Sequence, residues 1–332
     1  MMPENLPNRI LPGVLMVAVF AIPAWLFGKA IPLIGGPVFG ILIGIVIAFW
    51  KRPALFNAGI TFTAKKLLQT AIILLGFEMN LFNVLTVGSQ SLSIMFFTIS
   101  AALLTAWFFG RHVELPQNIS ILIGVGTAIC GGSAIAATAP IIKASEKEIT
   151  YSISTIFLFN IVAVFIFPAL GHLLAMSDAG FGMWAGTAIN DTSSVVAAGY
   201  SYSNEAGNFA TIVKLTRTLM IVPIALALTV WVSQKQKAMS GSVSITKVFP
   251  WFIVGFLATC IIGTTGLIPV SVCQALTLAG KFLIVMAMTA IGLNTHLGSL
   301  LANGIKPVLL GLICWLAVAT VSLIIQYHYN LW

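Results

Sequence analysis

Thr127-Ala128-Ile129-Cys130-Gly131-Gly132-Ser133 and Thr289-Ala290-Ile291-Gly292-Leu293-Asn294-Thr295 are two polar, glycine-bearing strings set inside long apolar runs. In lipid, a backbone that leaves the helical ladder has no water to bond. Such strings therefore persist where they face protein or a water-filled cavity. One in each half of a membrane chain is the pattern of a carrier, whose binding site forms where two interrupted helices meet. Composition supplies the membrane. Of 332 residues 59% are hydrophobic and 7% charged, with a mean hydropathy of +1.06, whereas a soluble domain is about half apolar and a quarter charged. The net charge of +8 is spread among apolar runs without a basic stripe, which argues against a nucleic-acid partner and for a topological role. Cys130, Cys260, Cys273 and Cys314 lack Cys-x-x-Cys spacing, so the cysteines indicate neither a disulfide framework nor a metal site.

A membrane span needs about 20 apolar residues. On that rule the chain reads as an all-α polytopic membrane protein with about eleven transmembrane helices, at 11–27, 31–50, 66–84, 91–110, 119–142, 151–172, 182–201, 209–232, 248–268, 278–297 and 305–327. The first follows a tail whose basic residue is Arg9 and lacks a small-residue cleavage site, so it reads as a retained helix. The third, with Glu78 and Asn80, and the seventh, with Asn190-Asp191-Thr192-Ser193-Ser194, are the least apolar. With a cytoplasmic N-terminus, Arg9, Lys51, Arg52, Lys65, Lys66, Arg111, Lys235, Lys237, Lys247 and Lys306 fall inside, and Lys29, Lys143 and Lys147 outside. The excess of inside basic residues predicts N-in and C-out. A re-entrant seventh segment would move Lys235, Lys237 and Lys247 outside, so full crossings are kept.

Three short matches run in one order through the two halves. Phe39-Gly40 to Gly44 matches Phe181-Gly182 to Gly186, Lys66 to Thr70 matches Lys214 to Thr218, and Thr127-Ala128-Ile129 matches Thr289-Ala290-Ile291. They predict a 5+5 repeat after an extra N-terminal helix: residues 1–30 for the tail and extra helix, 31–175 for the first five-helix unit and 176–332 for the second. An odd number of crossings per unit inverts the second copy. Two competing matches, Gly126-Thr127-Ala128-Ile129 with Gly186-Thr187-Ala188-Ile189 and Lys65-x-Leu67 with Lys281-x-Leu283, break the element order and are set aside.

The strings Cys130-Gly131-Gly132-Ser133-Ala134-Ile135-Ala136-Ala137, Asn190-Asp191-Thr192-Ser193-Ser194-Val195-Val196-Ala197-Ala198-Gly199 and Val213-Lys214-Leu215-Thr216-Arg217 resemble the sulfate exporter (YeiH-like) family of bacterial inner-membrane proteins. Ile72 to Phe77 and Ala290 to Leu293 fit it too, and the likeness covers nearly the whole chain. The resemblance implies a relative of the sodium/bile acid symporter and cation/proton antiporter folds, with two broken helices crossing at mid-membrane. In this sequence those would be spans five and ten. The chain departs from the family pattern at Asn190-Asp191, where relatives carry a His-Glu pair, so no histidine is available there for proton coupling.

Candidate site residues follow from chemistry. Cys130, Gly131, Gly132 and Ser133 let the fifth span unwind and expose backbone N–H groups to a substrate anion; the alternative is close packing by small residues. Gly292, Asn294 and Thr295 form the second interruption, with Asn294 able to donate and accept. His296 reads as interfacial, as does Glu78. Asp191, beside Asn190, is a carboxylate near mid-membrane and functional by default. Lys214 and Arg217, three apart on one helix face, are either counter-charges for the substrate, with Asp191 as the coupling group, or partners in a closed Asp191–Arg217 ion pair.

These features predict a secondary active transporter of a small anion of the sulfate, sulfonate or organic anion class. It would work by alternating access of the elevator type and be coupled to protons or sodium. A cation/proton antiporter or an anion channel on the same broken-helix site is the alternative. The chain has no Gly-x-x-x-x-Gly-Lys-[Ser/Thr] phosphate loop, no His-Glu-x-x-His and no Gly-x-Ser-x-Gly, which argues against direct ATP coupling and against an enzyme. No cofactor is expected. The expected partners are the lipid bilayer and the substrate anion, and the large apolar faces suit a homodimer.

Overall fold

The computed structural model describes residues 6–31, 34–236, 249–295 and 304–332. The protein is an all-helical polytopic membrane protein, and the described residues contain no strand. Its helices are α1 (Leu6–Ala30), α2 (Gly36–Ala48), α3 (Asn57–Phe62), α4 (Leu68–Leu75), α5 (Leu81–His112), α6 (Gln117–Ala128), α7 (Gly132–Thr138) and α8 (Glu146–Leu173). They continue with α9 (Asp178–Ala188), α10 (Thr192–Tyr202), α11 (Asn204–Leu219), α12 (Ile221–Gln236), α13 (Phe252–Thr265), α14 (Val270–Leu293) and α15 (Ile305–His328).

Local chemistry sets several boundaries. Ser145 and Glu148 form a reciprocal capping box at the start of α8, with Ser145 N donating to Glu148 Oε2 at 2.7 Å and Glu148 N to Ser145 Oγ at 3.4 Å. Ser177 caps α9 through Gly180 N at 3.0 Å, and Pro116 and Pro269 stand immediately before α6 and α14.

Among the described residues seven helical stretches are long and apolar enough to cross a membrane: Ile10–Ala30, Ala54–Glu78, Leu81–His112, Glu146–Leu173, Asn204–Trp231, Val270–Leu293 and Ile305–His328. Gly36–Ala48 and Phe252–Thr265 are shorter apolar helices. The fifth and seventh expected spans are each split, α6 from α7 and α9 from α10. In the tenth, α14 runs from Val270 to Leu293 and ends inside the Thr289 to Thr295 string, and residues 296–303 lie outside the described ones. A further interruption lies at Ile189-Asn190-Asp191.

The chain forms two compact units. The first comprises 1–85, 196–208 and 251–296; the second comprises 86–195, 209–250 and 297–332. Both draw on each half of the sequence, so they cut across the expected repeats 31–175 and 176–332.

In the first unit α2 lies against α14 through Gly36, Gly40 and Gly44. A Cβ added at Gly40 would stand 3.0 Å from Val285 O, and one at Gly44 would stand 2.8 Å from Gly292 Cα. Small residues at this spacing let two backbones touch, which is how helices associate in lipid. In the second unit Leu122, Ile123, Ile135, Ile156, Leu310 and Cys314 form a buried core. Trp184 stacks on Phe167 at 4.2 Å. Thr187 and Ser322 hydroxyls meet at 2.6 Å, and Gln326 Nε2 donates to Ser322 Oγ at 2.9 Å, joining α9 to α15.

Candidate functional site

Both breaks belong to the second unit. After Ala128 the chain leaves α6 with Ile129 at φ −119°, ψ −92°. Gly131 then takes φ +66° before α7 begins, a conformation open to glycine at little steric cost. After Ala188 the chain extends at Ile189, φ −86° and ψ 134°. Each break strands the last carbonyl groups of a half-helix in the protein interior, where they require donors.

Lys214 and Arg217 on α11 supply them. Lys214 Nζ donates to the carbonyls of Ile129 (2.8 Å), Ile189 (3.0 Å) and Asn190. Arg217 Nε donates to Ala128 O at 2.8 Å, Nη1 to Ile189 O at 3.3 Å, and Nη2 to Thr127 O. Both side chains are 0% exposed. An ammonium has three donors, and those of Lys214 are all committed. Helix C-termini also carry partial negative charge, so two fixed cations at two such ends satisfy field and hydrogen bonding together.

Two expectations change here. Lys214 and Arg217 are counter-charges to backbone carbonyls, so their side chains do not present themselves as direct substrate ligands. The Asp191–Arg217 ion pair is absent as well. Asp191 caps α10 instead: its Oδ2 accepts from Ser193 N at 3.0 Å and also from Ser193 Oγ. The capping arises because α10 starts right after the break, and its first N–H groups take the nearest carboxylate.

Around this framework lie buried polar atoms without a partner. They are both side-chain atoms of Asn190, Asn160 Nδ2 and Thr127 Oγ1. Asn190, Asn160 and Thr127 are 1%, 2% and 0% exposed. Asn160 Oδ1 accepts from Asp191 N at 3.3 Å. Its Nδ2 and Asp191 Cβ would each stand 3.7 Å from a Cβ added at Gly131, so Asn160 bridges the two breaks. The sequence analysis did not select Asn160, although a lone asparagine amid Phe157, Leu158, Phe159, Ile161 and Val162 carries the same signal as any polar group at membrane depth.

The remaining expected residues divide. Cys130 and Gly131 are buried at the first break, Gly132 is half-buried, and Ser133 is exposed. Gly292, Asn294 and Thr295 belong to the first unit. Gly292 is a packing residue, since its added Cβ would stand 2.9 Å from Gly44 Cα. Asn294 caps the end of α14, where Arg52 Nη2 donates to its Oδ1 at 3.0 Å and Nη1 to Leu293 O at 2.6 Å. Thr295 Oγ1 bonds back to Ile291 O at 2.8 Å. These polar residues stand where α14 ends, held by a cation. Glu78 ends its stretch in an ion pair with Lys281 at 3.2 Å. His296 lies outside the described residues.

The chain's relatives share its full length. A UPF0324 membrane protein of Streptococcus agalactiae serotype V is 48% identical over 332 residues, covering 97% of this chain and 98% of the relative. One from Fusobacterium nucleatum is 47% identical over 340 residues, covering 96% and 98%. One from Streptococcus mutans is 47% identical over 342 residues, covering 99% and 100%. These names state a membrane protein and no substrate. No solved structure matches the chain. The family model described as Conserved hypothetical protein 698 matches residues 12–311. With near-complete coverage by model and relatives alike, the chain belongs to the UPF0324 family of membrane proteins.

Proposed function

We propose that the protein is a secondary transporter of a small anion of the sulfate, sulfonate or organic anion class, binding where the two helix breaks meet. The observation that carries this reading is the charge and polarity of the buried cluster. Lys214 and Arg217 stand against one carboxylate, Asp191, leaving one formal positive charge. Beside them lie the unpartnered amide of Asn190, Asn160 Nδ2 and the Thr127 hydroxyl. Buried polar groups are normally paired, so a cluster of orphans is what an absent polar ligand leaves behind. The excess positive charge favours an anion over a cation, which weighs against a cation/proton antiporter.

The same geometry favours protons over sodium as the coupling ion. Unwound carbonyls are what sodium uses in carriers built on broken helices, and here five of them, at Thr127, Ala128, Ile129, Ile189 and Asn190, already accept from Lys214 and Arg217. Asp191, whose carboxylate caps α10 beside the orphan amides, is the proposed coupling group. The breaks lie within one compact unit, which suits alternating access in which that unit carries its cargo as a body. The N-terminus is proposed to be cytoplasmic, on the basic-residue asymmetry.

Proteoliposome flux tests the reading with labelled sulfate, methanesulfonate and short carboxylates. A carrier gives saturable uptake with counterflow, driven by a pH gradient and indifferent to sodium. Flux that does not saturate, measured as current, would make the protein a channel.

A further inference from the structure

A cavity of about 390 Å³ lies in the second unit along α5 and α6. It is lined by Leu103, Trp107 and Arg111 of α5 and its end, Ser120 of α6, and Leu228 and Trp231 of α12. Its shape follows from side-chain size. A Cβ added at Gly110 would stand 2.7 Å from Ser120 Cβ, and one at Gly124 would stand 2.7 Å from Ala106 Cβ. Small residues therefore make a low floor where α5 touches α6, and the two tryptophans stand beside it as walls. From Leu103 to Arg111 the slot is about 12 Å long at the helical rise.

The slot is apolar along its length and polar at one end. Arg111 lies at the end of α5, its guanidinium 4.4 Å from the Trp107 ring centroid. Stacking occupies one face and leaves the N–H edges open. No carboxylate pairs with Arg111 among the described residues; nearby Glu114 is with Lys306 at 3.9 Å. Ser120 is also among the lining residues, its Oγ turned toward Gly110 and buried without a partner. All of this sits on stretches read as membrane spans, near a helix end where aromatic and basic residues meet headgroups.

We propose that this slot binds one anionic glycerophospholipid, with an acyl chain over the small-residue floor and the phosphate on Arg111. A lipid supplies both elements: an apolar body along the slot and an anion for the open guanidinium edge. Basic residues at the membrane surface select acidic headgroups, and this one is pre-oriented by Trp107. The site does not depend on the transport reading.

The test uses full-length protein in nanodiscs containing phosphatidylglycerol or phosphatidylcholine, each brominated on an acyl chain and titrated against its unbrominated form. Trp107 and Trp231 are expected to be quenched saturably at low mole fraction by the glycerol lipid and at least five-fold less readily by the choline lipid. Trp231→Phe should remove much of that saturable component. Arg111→Gln should erase the preference, and Arg111→Lys should keep most of it. Equal quenching by the two lipids, or a preference unchanged in Arg111→Gln, overturns the proposal. So does displacement of the lipid by millimolar inorganic phosphate, which would make the site one for a free anion.

Discussion

Replacing Lys214 with methionine separates the two roles a buried cation could play here. The ammonium donates to three carbonyls, those of Ile129, Ile189 and Asn190, and is fully buried. Removing it strands two acceptors, those of Ile129 and Asn190, in an interior closed to water, at about 1–3 kcal/mol for each group, while Ile189 O keeps the Arg217 Nη1 donor. It also removes the desolvation cost of a buried charge, so the sum is not the full total. Breaking one side of a buried charged network typically costs about 3–5 kcal/mol. At roughly 2 °C per kcal/mol, the lower end of the range for sizeable domains, this corresponds to a melting temperature lower by about 6–10 °C. Asn190→Ala is the matched opposite. Its side-chain atoms bond nothing in the protein, so its loss should leave the melting temperature within about 2 °C, removing a buried polar group that has no partner to lose. Anion binding should fall at least ten-fold. The assay is thermal melting of detergent-solubilised protein with and without methanesulfonate, beside anion uptake. If Lys214→Met melts with the wild type and loses only anion binding, the carbonyl-holding role is wrong and the lysine is a substrate ligand after all.

Asp191→Asn keeps an acceptor at the start of α10, where asparagine caps as well as aspartate. Stability should therefore change little, while the dependence of uptake on a pH gradient should disappear; retained dependence would remove Asp191 as the coupling group. Gly131→Ala forces a side chain to φ +66°, ψ −124°, at about 1–3 kcal/mol, and should lower both the melting temperature and uptake. Gly292→Val would drive a branched side chain into Gly44 Cα, 2.9 Å from the nearest Cβ position. Such overpacking costs about 1–3 kcal/mol, and its expected signature is a lower melting temperature together with loss of monodisperse protein on size exclusion.

The membrane class was legible because apolar run length is itself the physical requirement for crossing lipid, while the expected span 66–84 runs past the helix end at Glu78 into the next helix. The first break was legible as well, since Gly131-Gly132 following Cys130 marks backbone freedom directly. The break at Ile189-Asn190-Asp191 was not selected as one. Thr289-Ala290-Ile291 repeats Thr127-Ala128-Ile129, and there the helix ends at Leu293, with Gly292 in contact with Gly44 and Asn294 capped by Arg52. The match set aside for breaking element order, Gly126 to Ile129 with Gly186 to Ile189, is the one whose copies both end a half-helix. Lys214 and Arg217 were visible as a pair on one face. Their partners were not, because a carbonyl oxygen has no residue identity and can be assigned only once the breaks are placed in space.

A helix broken in the membrane interior requires donors for its last carbonyls, and an ion, water or fixed side chains can provide them. Here two fixed cations from one turn of α11 do so for both breaks together. Electrostatics and backbone satisfaction are thereby settled inside the protein without consuming the polar atoms of Asn190, Asn160 and Thr127. The consequence is a division of labour. Charge holds the two breaks together, and neutral amide and hydroxyl groups are left for the proposed anion. Neutral donors beside one residual positive charge would bind an anion less tightly than an exposed guanidinium fork, because charge-assisted hydrogen bonds are about twice as strong. Weak, reversible binding would suit the proposed carrier on both sides of the membrane. A stable anion-storage site would instead place Arg217 where the anion could reach it.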